Sequence, residues 1–217
     1  MGEITLIRHG QASFGTDDYD RLSPLGHAQS AWLGEYIRSH GWHFDQVVRG
    51  GLRRHRETAE GILQHLELPN PVEDRRFDEF HYDPLESQYL RETGSTAPQS
   101  RSDFLSSFPD VFCGWGEGRL GADQESYDAF ETRVLTALDA ATEANRSTLI
   151  VSSGGVIGVI LRRTLGLSLR STADLLLNIH NASVHRLLLE EGQLRLSLFN
   201  ASPHLDPRDR AHARTYV

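Results

Sequence analysis

The chain has 217 residues, 38% hydrophobic and 24% charged, the composition of an ordinary water-soluble α/β-sized domain with no linker to divide it. Its net charge of −8 sets the surface as a whole against nucleic acid and anionic membranes, so any anion site has to be focused locally. No apolar stretch approaches the roughly 18 residues of a membrane span, the first strand begins too early to leave room for a signal peptide, and the single cysteine, Cys113, excludes an internal disulfide. The expectation is one cytoplasmic domain over 1–217. All 22 basic residues are arginines, which is more simply a coding bias than a functional device.

Residues 3–10 read Glu3-Ile4-Thr5-Leu6-Ile7-Arg8-His9-Gly10, a β-branched apolar run that stops on an arginine and a histidine. Such a run is a buried strand, and in open α/β sheets ligands bind outside the carboxyl ends of the strands. A neutral imidazole can attack phosphorus, and a guanidinium fork can hold two phosphate oxygens. The pair therefore points to phosphoryl transfer through a phosphohistidine.

After a polar loop from Gln11 to Arg21, Ser23 suits an N-cap and Pro24 the first helical position, predicting a helix from Pro24 to about Ser39 with Gly41 as its stop. Phe44 to Val48 reads as a second strand and Leu52 to about Leu66 as a second helix. That helix opens on Arg53, Arg54 and Arg56. At about 100° per residue these diverge, so most of them have to be solvated, while the helix N-terminus itself offers N–H groups to an anion. Between Phe80 and Ala122 the periodicity breaks down in a stretch rich in Ser, Pro, Gly and aromatic residues, too long for a simple connection, which predicts a lid or cap insertion at about 80–122. A helix from about Asp123 to Ala144 then leads to a strand Ser147 to Ser152, the segment Ser153-Gly154-Gly155 and a helix Val156 to Leu165. Strands near Ser183 to Leu189 and Gln193 to Phe199 flank Glu190-Glu191-Gly192 as a hairpin. The alternation predicts a three-layer αβα sandwich with a mostly parallel sheet and an antiparallel edge.

Arg8-His9-Gly10, the Leu-x-Arg-x-x-x-Thr-Ala pattern of Leu52 to Ala59, Leu22-Ser23-Pro24-Leu25-Gly26 with Gln29, and Val151-Ser152-Ser153-Gly154-Gly155 together resemble the histidine phosphatase superfamily, also called the phosphoglycerate mutase-like family, over nearly the whole chain. The resemblance implies that His9 is the nucleophile that becomes phosphorylated, and that Arg8 and Arg54 grip the phosphoryl oxygens. It also implies that Glu79 is the acid that protonates the leaving alkoxide and then activates water. The family's glycine and tryptophan after the acid are replaced by His81-Tyr82-Asp83, which keeps Asp78 and Glu86 in play as competing carboxylates.

One departure stands out. Where the family usually carries a second histidine before the Gly-Gly, this chain has Ser153, which donates a hydrogen bond but brings no positive charge. The loss of one preorganised donor is worth roughly 10² to 10³ in rate. Ser153 and the backbone of Gly154 are assigned to phosphate binding, and His180 is the candidate substitute for the absent histidine. The reading is a metal-independent phosphomonoester phosphatase; the alternatives are a mutase-like phosphoryl transferase and a weakly active pseudoenzyme that binds phosphorylated ligands. With no His-Glu-x-x-His pattern among 11 histidines, no metal or other cofactor is expected. Gly114-Trp115-Gly116-Glu117-Gly118 follows no strand and is not a dinucleotide fingerprint. The expected partner is a small phosphorylated substrate, with no nucleic acid and no membrane; a homodimer is left open.

Overall fold

In the computed structural model, which describes residues 2–13, 20–143 and 145–216, the strand that ends on Arg8 and His9 lies inside a six-stranded sheet. This strand, β1 (Gly2–Arg8), pairs in parallel with β4 (Ser147–Ser152) and antiparallel with β5 (Val184–Glu190). On the far side of β4 come β2 (Gln46–Arg49) and the short β3 (Val72–Glu73), both parallel to it, and β6 (Gln193–Ala201) closes the other edge as the hairpin partner of β5. The strand order is β3-β2-β4-β1-β5-β6. The register Arg8 opposite Ser152 and Arg49 opposite Val151 brings three strand ends level on one edge of the sheet.

Side chains alternate across a strand, so each central strand feeds both faces. Ile7, Val47, Leu149 and Val151 point to one side, where they meet Leu33 and Ile37 of α1 (Pro24–Ser39) and Ala59 and Ile62 of α2 (Arg53–Leu63). Ile4, Leu6, Val48 and Ile150 point to the other side, packing with α5 (Tyr127–Ala141), α6 (Gly154–Leu165) and α7 (Leu169–Leu176). The architecture is the expected αβα sandwich with a mostly parallel sheet and an antiparallel edge. Ser23 caps α1 by accepting from Gly26 N at 3.0 Å, with Pro24 at the first position.

The segment 80–122 is not irregular. It contains α3 (Tyr82–Thr93) and α4 (Arg101–Gly116), the latter capped by Ser100 and carrying Pro109 in its interior. An aromatic stack fixes them: Phe80 lies 4.6 Å from Trp115, which meets Tyr127 at 5.1 Å and Phe130 at 5.4 Å, while Tyr82 stacks on Phe108 at 5.3 Å. Each ring here contributes both area and edge-to-face geometry. The short 3₁₀ turn Arg75–Phe77 and α7 are further elements that periodicity did not reveal.

Several boundaries also differ. The second strand starts at Gln46, with Phe44 buried ahead of it, and α2 ends at Leu63. Helix α5 begins only at Tyr127, because Ser126 caps it by accepting from Ala129 N. It ends at Ala141; Ala144, the expected terminus, lies outside the described residues, as do positions 14–19 of the Gln11–Arg21 loop. Helix α6 begins two residues earlier than expected, at Gly154, with Ser153 in the N-cap position.

Candidate active site

The strand ends of β1 and β4 and the first turns of α2 and α6 converge on His9. Its backbone is held on both sides: His9 N donates to Ser152 O at 2.8 Å, and His9 O accepts from Ala182 N at 3.2 Å and Asn181 Nδ2 at 3.3 Å. The ring is buried, and Nδ1 lies 2.7 Å from Gly10 O. A carbonyl oxygen only accepts, so Nδ1 carries the hydrogen and Nε2 is left with its lone pair. Burial first, then the charges of Arg54 and Arg8, pull the His9 pKa well below the ordinary histidine value and keep the ring neutral. Close backbone approach makes the turn possible: a side chain on Gly10 would sit 2.5 Å from Gly26 O.

Arg8 is buried, and its Nη1 donates to Ile179 O. A side chain on Gly154 would come 3.8 Å from Arg8 Nε, which places the α6 N-terminus directly beside this guanidinium. Arg54, also buried, donates from Nη1 to Asp20 Oδ1 at 2.7 Å. Thr58 ties its helix to the site, donating from Oγ1 to Arg54 O at 2.7 Å and accepting from Gly10 N at 3.0 Å. Arg53 and Arg56 face away from the site, paired with Glu57 and Glu60 one turn on.

The start of the helix does offer its N–H groups to carboxylates, but these belong to the chain itself. Asp78 accepts from Gly51 N at 2.5 Å and from Leu52 N, and Asp20 Oδ2 accepts from Arg53 N at 2.8 Å. This also separates the three competing carboxylates. Asp78 is committed to the start of α2, Glu86 accepts from Tyr82 on α3 at 3.2 Å, and Glu79 lies at the α6 N-terminus, where Oε2 accepts from Gly155 N at 3.0 Å and Oε1 from Phe80 N at 3.2 Å. Burial raises the Glu79 pKa above the usual carboxylate range, against the lowering effect of the Gly155 N–H and of Arg54 and Arg8. A buried carboxyl with a raised pKa beside two arginines is chemically able to exchange protons.

Two positions were missed in the sequence. Arg133 of α5 donates from Nη1 to Arg76 O and Asp78 O, each at 2.8 Å, while its Nε and Nη2 bind Glu125 at 2.6 and 2.9 Å; it holds the segment that presents Glu79. His55 is fully buried, with Nε2 2.6 Å from Ser153 Oγ and its ring centroid 5.8 Å from that of His9. It sits at a variable position of the Leu-x-Arg-x-x-x-Thr-Ala pattern among arginines read as surface, so no spacing signal marked it. His180, the expected substitute, follows Ile179, whose carbonyl accepts from Arg8; its ring is 5.6 Å from Tyr216, its N donates to Asn200 Oδ1, and burial and the charges of Arg214 and Arg8 lower its pKa. Among the described residues no three His, Cys, Asp or Glu side chains gather as a metal site, and no helix is long and apolar enough to cross a membrane.

Comparison with known proteins identifies the family. The chain is 27% identical over 172 residues to a broad-specificity phosphatase of Saccharomyces cerevisiae, covering 73% of this chain and 68% of that protein. It is 26% identical over 192 residues to a metal-independent phosphoserine phosphatase of Arabidopsis thaliana, covering 84% and 76%. The fold matches the crystal structure of phosphoserine phosphatase from Entamoeba histolytica in complex with 3-phosphoglyceric acid, with a TM-score of 0.69 at 18% identity over 94% of this chain and 100% of that one. The model of the histidine phosphatase superfamily (branch 1) matches residues 4–202, and the chain belongs to that superfamily.

Proposed function

We propose that the protein is a metal-independent phosphatase of small phosphomonoesters that works through a phosphohistidine on His9. The single observation that carries this reading is the 2.7 Å contact between His9 Nδ1 and Gly10 O, which assigns the ring hydrogen to Nδ1 and leaves the Nε2 lone pair as the nucleophile at the C-terminal end of a central strand. Arg8 and Arg54 supply the charge that binds a phosphoryl group against a net charge of −8.

In the first step Nε2 attacks phosphorus, the bond to the ester oxygen breaks, and Glu79 passes its proton to the departing alkoxide. In the second step the Glu79 carboxylate takes a proton from water, the hydroxide attacks phosphorus, and the P–N bond breaks to release inorganic phosphate and restore His9. The raised pKa of Glu79 suits both directions of this exchange. Choice of substrate is assigned to the 80–122 segment, because Glu79 runs directly into Phe80 and its aromatic stack.

The test is hydrolysis of an aryl phosphate in the presence of a chelator, wild type against His9→Ala. Activity that survives chelation and disappears in the variant supports the reading. A wild type that binds vanadate yet hydrolyses nothing replaces it with a phosphate-binding pseudoenzyme.

A further inference from the structure

Ser153 stands where the family resemblance calls for a histidine, and its surroundings differ from those of most serines that begin a helix. Its backbone has N-cap geometry, yet its hydroxyl caps none of the free N–H groups of α6, the usual role of a serine there. The hydroxyl meets His55 Nε2 at 2.6 Å instead. Both residues have zero solvent exposure. Gly50 makes the room, since a side chain there would collide with His55 Nδ1.

Buried polar groups are nearly always paired, yet His55 Nδ1 makes no hydrogen bond, with Asp78 Oδ1 standing off at 4.0 Å. A bare acceptor is less costly to bury than a bare N–H. The neutral ring therefore carries its hydrogen on Nε2 and donates to Ser153 Oγ. Ser153 in turn keeps its own hydroxyl hydrogen, for which the described residues provide no acceptor. It stands next to Ser152, whose carbonyl holds His9 N.

We infer that His55 and Ser153 act as one donor unit in place of the second histidine: His55 Nε2–H donates to Ser153 Oγ, and the serine hydroxyl is thereby aimed as a donor at a phosphoryl oxygen held at His9. The inference deepens the phosphatase reading and rests on it for the group bound there. The Ser153 hydroxyl, closed off in the free protein, meets the phosphoryl group once that group is bound at His9; His55 acts through it and is a positioning residue. The chain has in effect moved the imidazole from the end of β4 to the first turn of α2 and bridged the gap with a hydroxyl.

The experiment measures kcat and KM for an aryl phosphate, and vanadate affinity, in wild type, His55→Ala, Ser153→Ala, the double variant and His55→Ala/Ser153→His. Each single variant is expected to lose about 10- to 100-fold in kcat, with a parallel loss of vanadate affinity and a smaller change in KM. The double variant should be no worse than the poorer single one, because the two residues form one unit. His55→Ala/Ser153→His should recover at least about tenfold over Ser153→Ala, since it returns an imidazole to the phosphoryl group. Where His55→Ala does not fold, Ser153→Ala in the His55→Gln background reads the same coupling. Wild-type kcat and vanadate affinity in His55→Ala, or losses that multiply in the double variant, overturn the inference. A wild type that binds vanadate without turnover removes the phosphatase reading and leaves the affinities to decide this one. A folded wild type that binds no vanadate overturns both.

Discussion

Gly155→Ala tests whether Glu79 is the acid without replacing any titratable group. A Cβ built on Gly155 falls 2.6 Å from Phe80 Cε1 and 2.8 Å from Cδ1, and closer still to Glu79 Oε1. Ordinary contact begins near 3.4 Å, so the ring would have to retreat by about 0.8 Å and the carboxylate by more. Phe80 has little freedom, stacked on Trp115 at 4.6 Å and wedged against Phe130 at 5.5 Å. The carboxylate therefore yields, and its bond from Gly155 N is lost or lengthened. A displacement of about 1 Å in a catalytic group is worth on the order of 10² in rate, or about 2.7 kcal/mol of barrier. Overpacking costs roughly 1–3 kcal/mol of stability, partly offset by the roughly 1 kcal/mol by which alanine is preferred to glycine in a helix. The enzyme should thus stay folded while kcat for an aryl phosphate falls about 100-fold and KM moves little. The Gly155 N–H is also the strongest group holding the Glu79 pKa down. Without it the alkaline limb of the kcat profile, where the protonated acid is lost, should move to higher pH. A kcat within about threefold of wild type, with an unshifted limb, would show that Glu79 does not need this position and is not the acid.

Glu79→Gln should slow alkyl phosphates by about 10² to 10⁴, and nitrophenyl phosphate far less, because a good leaving group does not need the proton; equal losses on both substrates would remove the acid role. His185 and His204 are buried, and burial pulls the pKa of each down to about 3. The unfolded chain therefore binds more protons below the ordinary value near 6.5, so their stabilising effect is complete above about pH 6.5 and is lost as pH falls toward 3. Urea midpoints should drop steadily from pH 7 to pH 4, and a flat profile would contradict the buried neutral state. Trp115→Ala removes a side chain that is 2% exposed, is packed against Phe80, Tyr127 and Phe130, and donates from Nε1 to Glu125 O at 3.0 Å. It should cost about 3–5 kcal/mol in denaturant unfolding; a loss below 1 kcal/mol would mean that the aromatic stack does not hold the 80–122 segment in place.

What was legible in the sequence is what local rules govern. A buried parallel strand has to be apolar on both faces, so Ile4 to Ile7 and Thr148 to Val151 announced themselves, and an arginine and histidine at the end of such a run could only stand at the sheet's ligand-binding edge. Ser23 before Pro24 marked the start of α1 by cap chemistry alone. The two helices of the 80–122 segment were hidden because their Ser, Pro and Gly content argues against helix; the stacking of Phe80, Phe108, Phe112 and Trp115, rings up to 35 residues apart, overrides that local preference. The roles of Asp78 and Glu79 could not be told apart from adjacent positions in the chain. Only the tertiary structure sends one to the N-terminus of α2 and the other to that of α6. His55 and Ser153 are 98 residues apart, and what joins them is the pairing of β2 with β4, which brings the starts of α2 and α6 together at one edge of the sheet although the two helices lie on opposite faces. Chain-local physics decides where strands and caps fall, while a contact between distant side chains is decided by sheet order, which no single stretch of sequence contains.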